Sequence, residues 1–69
     1  MTRELIAANL RAARIGRGLS CGQVALRAGM TKDTVRRYEI RRLAPGSINL
    51  AILCRLYRVS ADAILGIDE

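Results

Sequence analysis

The sequence predicts an all-α domain of five short helices, and three observations carry that reading. Apolar residues recur at helical spacing: Ile6, Leu10 and Ala13 lie at i, i+4 and i+7, and Leu50, Leu53, Cys54 and Tyr57 at i, i+3, i+4 and i+7. A residue able to start a helix precedes each candidate: Thr2, Ser20, Thr31, Gly46 or Ser47, and Ser60. The hydrophobic 51% of the 69 residues is mostly Ala, Leu and Ile, without Trp or Phe, and only Tyr38 and Tyr57 are aromatic. Small aliphatics in so short a chain favour packed helices. This is too apolar for a disordered tail, and the length suits one domain, expected over 1–69. A core of this size supplies about 3–5 kcal/mol.

The elements follow in order. Thr2 caps a first helix that ends near Gly16 or Gly18, with Arg11 and Arg14 beside its apolar stripe. Ser20 caps a second helix over about Cys21 to Ala28, in which Val24 and Ala28 face inward. Gly22 weakens that helix by up to about 1 kcal/mol relative to Ala. Gly29 then stands where a left-handed residue is needed. Thr31 caps a third helix, about Lys32 to Ile40, with Val35, Tyr38 and Ile40 as its apolar residues. Lys32, Asp33, Arg36 and Arg37 are spaced i, i+1, i+4 and i+5, so they share one polar side. Arg41 to Gly46 is a loop, since Pro45 disfavours helical geometry at Ala44. The fourth helix runs to about Tyr57. Ser60 caps a fifth, Ala61 to Leu65, which Gly66 stops.

Charge narrows the function. Twelve basic residues stand against six acidic ones, for a net +6 with no His. The excess lies in residues 11–42, where Arg11, Arg14, Arg17, Arg27, Lys32, Arg36, Arg37, Arg41 and Arg42 face only Asp33 and Glu39. A basic block inside a folded domain suits a nucleic-acid partner; a solvated surface without a partner and a membrane surface are the alternatives. The first helix lacks the bulky apolar face that membrane binding needs. Two cysteines without His or a C-x-x-C make no zinc site. The charged residues Arg3, Glu4, Arg11, Arg14 and Arg17 leave no signal-peptide core, so a cytoplasmic location with reduced thiols is expected. Without His, a paired carboxylate or a base beside either Cys, no enzyme, cofactor or small-molecule ligand is expected.

Residues 20–40 read as helix, tight turn, helix. The demands of a helix-turn-helix are specific: Ala25 small where two helices cross, Gly29 free to take positive φ, and Val35 apolar towards the second helix. The run Gly18-Leu19-Ser20, Val24-Ala25, Gly29-Met30-Thr31 and Thr34-Val35-Arg36-Arg37-Tyr38-Glu39 resembles the lambda-repressor/Cro-type helix-turn-helix family (the xenobiotic response element family). Arg41-Arg42-Leu43-Ala44-Pro45 is similar to the loop after that family's third helix. Leu50, Leu53, Val59-Ser60 and Ile64-Leu65 match its last two helices. The resemblance covers about residues 6–66. It implies a lambda-repressor-like five-helix DNA-binding fold with the motif at helices 2 and 3. Three positions depart from the pattern: Cys21 stands where the family has Gln, Arg58 replaces a helix-ending Gly, and Gly22 weakens the second helix. Cys is a weak donor, which puts one phosphate contact at that position in question.

The resemblance also assigns roles. The candidates for reading bases are Lys32, Asp33, Thr34, Arg36 and Arg37, of which Lys32 and Asp33 lie at the start of the third helix, the end that points into the groove. Arg can grip guanine through O6 and N7, Asp can accept from cytosine N4, and Thr can touch a thymine methyl. The plain alternative is a solvated face with an Asp33–Arg36 or Asp33–Arg37 pair. Arg17, Cys21, Gln23, Arg41 and Arg42 are candidates for phosphate contacts, with the amides near Cys21 and Gly22 able to act without a side chain. Arg14 and Glu39 match a structural ion pair linking the first helix to the end of the third. Cys54 belongs to the core, and Cys21 near Arg residues is a candidate redox switch as well as a plain small residue. The expected function is a sequence-specific, double-stranded DNA-binding transcriptional regulator, a repressor acting as a homodimer at least on DNA. Ile64 and Ile67 supply the expected dimer patch. The alternative is an antitoxin-like interaction module that also binds its own promoter.

Overall fold

The computed structural model describes residues 2–40 and 43–67. The chain forms α1 (Arg3–Gly16), α2 (Cys21–Ala28), α3 (Lys32–Glu39), α4 (Ser47–Tyr57) and α5 (Ala61–Leu65), and the described residues contain no strand. Four of the five starts are capped by a hydroxyl. Thr2, Ser20, Thr31 and Ser60 accept from the amides of Leu5, Gln23, Thr34 and Ala63 at 3.0–3.1 Å. Each bond satisfies an amide that has no partner inside its helix. α4 starts at Gly46 without a side-chain cap.

One apolar cluster joins the elements. Leu10 comes from α1, Val24 and Ala25 from α2, Val35 and Tyr38 from α3, Leu53, Cys54 and Tyr57 from α4, and Ile64 from α5. α2 packs on α3 and α4, while α1 packs on α3 and α5. The stripe on α1 is wider than its period suggested, because Ala7 is also buried, three residues before Leu10. The five-residue α5 is too short to stand alone. Ile64 anchors it in the core, and Asn9 Nδ2 on α1 donates to the carbonyls of Ala63 and Ile64 at 3.2 and 3.0 Å. Those carbonyls lie in the last turn, where no helical amide follows.

Two expectations change. The third helix ends at Glu39, and Ile40 is its C-terminal cap with 46% of its surface exposed, so it contributes little to the core. Ile64 is 2% exposed, because packing α5 against α1 and α4 consumes its side chain. It cannot form part of a dimer patch, whereas Ile67 remains exposed. Arg58 takes φ 58°, the left-handed conformation that closes α4, and it is the only non-glycine residue with positive φ among those described.

Candidate nucleic-acid interface

The second and third helices meet through a turn built from local chemistry. At its upstream end Ser20 and Gln23 form a reciprocal cap: Gln23 N donates to Ser20 Oγ at 3.1 Å, and Ser20 N donates to Gln23 Oε1 at 2.8 Å. At the turn itself, Gly29 adopts φ 70°, ψ 32°, and the next amide, of Met30, donates to Ala25 O at 3.0 Å. A side chain at Gly29 would meet no neighbour, so the requirement for glycine there is conformational, not steric. Thr31 then caps α3, and its hydroxyl lies 2.8 Å from that of Thr34.

α3 has two unlike sides. Val35 and Tyr38 are buried against α2 and the core, while Lys32, Asp33, Arg36 and Arg37 are all exposed. On the outer side Asp33 lies between two cations. Its Oδ2 is 2.8 Å from Arg37 Nε, and its Oδ1 is 4.0 Å from Arg36 Nη2. More than half of each of these three side chains is exposed, so the pairs contribute little to stability. Thr34 is half-buried and turned to Thr31.

Two polar contacts fix the inner side of α3 to other helices. Arg14 on α1 donates from Nε to Glu39 Oε2 at 2.8 Å and from Nη2 to Glu39 Oε1 at 2.9 Å, and its Nη1 donates to Leu19 O at 2.8 Å. Only 14% of the Arg14 side chain and 6% of that of Glu39 are exposed. Hydrogen bonding to Glu39 pushes the Arg14 guanidinium pKa further up, against the opposing effect of burial. Asn49 Nδ2 on α4 donates to Tyr38 Oη at 2.9 Å. Nothing in the sequence pattern singled out Asn49, because an Asn in a helix carries no signal of a distant phenol. Tyr57 sits near the same ion pair, and its phenol pKa is raised by burial, with the Glu39 charge adding and Arg14 opposing.

The phosphate candidates divide. Arg17 is exposed at the end of α1. Gln23 is exposed, although its amide oxygen is committed to the cap. Cys21 is half-buried and its side chain packs on the core, but its amide and that of Gly22, in the first turn of α2, have no helical acceptor. Arg41 and Arg42 lie outside the described residues.

A helix-turn-helix domain profile matches residues 5–65. The chain belongs to the helix-turn-helix domain family. The capped α2, the glycine turn and the braced α3 are therefore the defining parts of this helix-turn-helix domain. A curated protein, the uncharacterized HTH-type transcriptional regulator YobD of Bacillus subtilis (strain 168), is 38% identical over 60 residues, covering 87% of this chain and 54% of that protein. The domain thus spans about half the length of that relative. No solved structure matches it significantly.

Proposed function

We propose that this helix-turn-helix chain is a sequence-specific double-stranded DNA-binding transcriptional regulator, acting in the cytoplasm as a repressor. α3 enters the major groove and α2 crosses the backbone. The observation that carries the reading is the two-sidedness of α3. Its Val35 and Tyr38 side is anchored in the core, and its Lys32, Asp33, Arg36 and Arg37 side is free for a partner. Similarity to a protein named as a transcriptional regulator supports the same class. Lys32, Asp33, Arg36 and Arg37 face base edges, with Thr34 at the margin. Arg17, Arg41, Arg42, Gln23 and the first amides of α2 at Cys21 and Gly22 meet phosphates. One module buries little surface, so two copies about one helical turn apart bind a pseudo-palindrome together.

Selection of bound duplexes from random DNA, followed by gel shifts at two salt concentrations, tests this. The selected site should bind at least about a thousandfold more tightly than random duplex, with affinity falling steeply as salt rises. Arg37→Ala should relax preference at particular base pairs, and Arg17→Ala should weaken all duplexes alike. Random duplex binding as well as any selected site would end the sequence-specific reading.

A further inference from the structure

We propose that Asp33 determines base choice at one position of the DNA site by positioning Arg37, so that the base pair met by Arg37 is selected for guanine. This rests on the DNA-binding reading above and deepens it.

The inference begins with an acid where a phosphate-binding face would do better without one. Asp33 lies in the first turn of α3, among Lys32, Arg36 and Arg37. Its charge interacts favourably with the helix N-terminus, but it lowers the attraction of this face for any duplex. The carboxylate lies 2.8 Å from Arg37 Nε and 4.0 Å from Arg36 Nη2. The contact is an ion pair without an aligned hydrogen bond, so charge draws the Nε side of the Arg37 guanidinium to the carboxylate while the other end, Nη1 and Nη2, stays available to a base. Among the described residues the Arg37 side chain makes no aligned hydrogen bond, and more than half of it is exposed. A guanidinium that presents this end matches the O6 and N7 acceptors of guanine.

Position i to i+4 is the spacing at which a helix can make this arrangement unaided. In water the pair is exposed and weak. In a groove cleared of water the same charges interact more strongly. Arg37 then enters with its orientation restricted, and Asp33 is kept from phosphate repulsion by its two arginines. Asp33 is a positioning residue in this scheme, and its oxygens need touch no base.

The test compares wild type, Asp33→Ala, Asp33→Glu, Arg37→Ala and the double variant Asp33→Ala/Arg37→Ala in selections from random duplex. All four variants change only exposed side chains, and circular dichroism checks that each variant folds. In Asp33→Ala, guanine preference should drop about tenfold at one base pair, while affinity for arbitrary duplex holds or rises. Arg37→Ala should lose preference at that same base pair, and the double variant should lose no more than Arg37→Ala alone. Asp33→Glu, which still reaches Arg37 at i+4, should keep the guanine. Unchanged guanine preference in Asp33→Ala overturns the proposal, as does a loss at a different base pair, the mark of direct contact by Asp33. A wild-type chain without any base preference overturns the DNA reading itself, and this proposal with it.

Discussion

Changing Glu39 to Gln tests whether the buried ion pair holds α3 in place. The substitution keeps the side-chain volume and removes the charge. In the native domain Glu39 accepts two bonds from Arg14, at 2.8 and 2.9 Å, with 6% of its side chain exposed. Gln offers one acceptor and turns an NH2 group towards the second donor. The guanidinium of a side chain only 14% exposed is then left without its counter-charge, although Leu19 O still accepts from Nη1. Removing one partner of a buried pair costs about 3–5 kcal/mol, and the surviving bonds put this variant near the lower end. For a chain of this length the unfolding entropy near the midpoint is about 0.14 kcal/mol/K, so Tm should fall by about 20 °C. That loss is comparable with the entire stability of so small a domain. Thermal melts followed by circular dichroism should therefore be run in sulfate, which strengthens burial and preserves a folded baseline. Replacing both partners, Arg14→Met with Glu39→Met, should recover most of the loss, because no buried charge then lacks its partner. A Glu39→Gln melt within about 4 °C of wild type would refute the reasoning, since that shift corresponds to well under 1 kcal/mol.

Three further outcomes follow from the same structure. Arg58→Gly relieves the left-handed strain at the end of α4 and should raise Tm by about 7 °C, from about 1 kcal/mol; an unchanged melt argues against strain there. Ala25→Leu forces bulk into the buried contact around α2 and α3 and should cost about 1–3 kcal/mol in a urea titration, a cost that disappears if the two helices have room to part. Burial raises the pKa values of Cys54 and Tyr57 above their ordinary 9.0 and 10.0, so the unfolded chain releases these protons first. Stability from both groups is complete below the unfolded values and is lost as pH climbs past them, first for Cys54 and then for Tyr57. Tyr57→Phe should flatten the later part of the decline, and urea midpoints that fall equally steeply in both proteins above about pH 10 would contradict this.

How much was legible before folding differs from residue to residue. The start of α2 was written locally, because Ser20, Gln23 and the apolar Val24 lie within one turn of each other. Gly29 was legible for the same reason: a left-handed turn between two helices is a property of one residue's backbone. The charged side of α3 followed from spacing alone. Asn9 and Asn49 could not be read in this way. Asn9 binds carbonyls 54 and 55 positions away, and Asn49 binds a phenol 11 positions back on another helix. Ile64 could not be placed from the pattern, because an apolar residue in a helix of five residues fits a core or a surface patch equally well until α5 is docked. Arg14 and Glu39 stood together through family resemblance, not through any periodicity, since 25 residues separate them.

Helix positions, their caps, the glycine turn and the cationic side of α3 were determined by the sequence itself, because backbone geometry and side-chain period act over a few residues. Only the tertiary structure decided how that side is held. The bidentate Arg14–Glu39 pair, the Asn49–Tyr38 bond and the burial of Ile64 each join helices that no local rule connects. Tertiary packing also decided which side chains remain exposed, because burial depends on what lies opposite a residue in space, not on what precedes it in the chain.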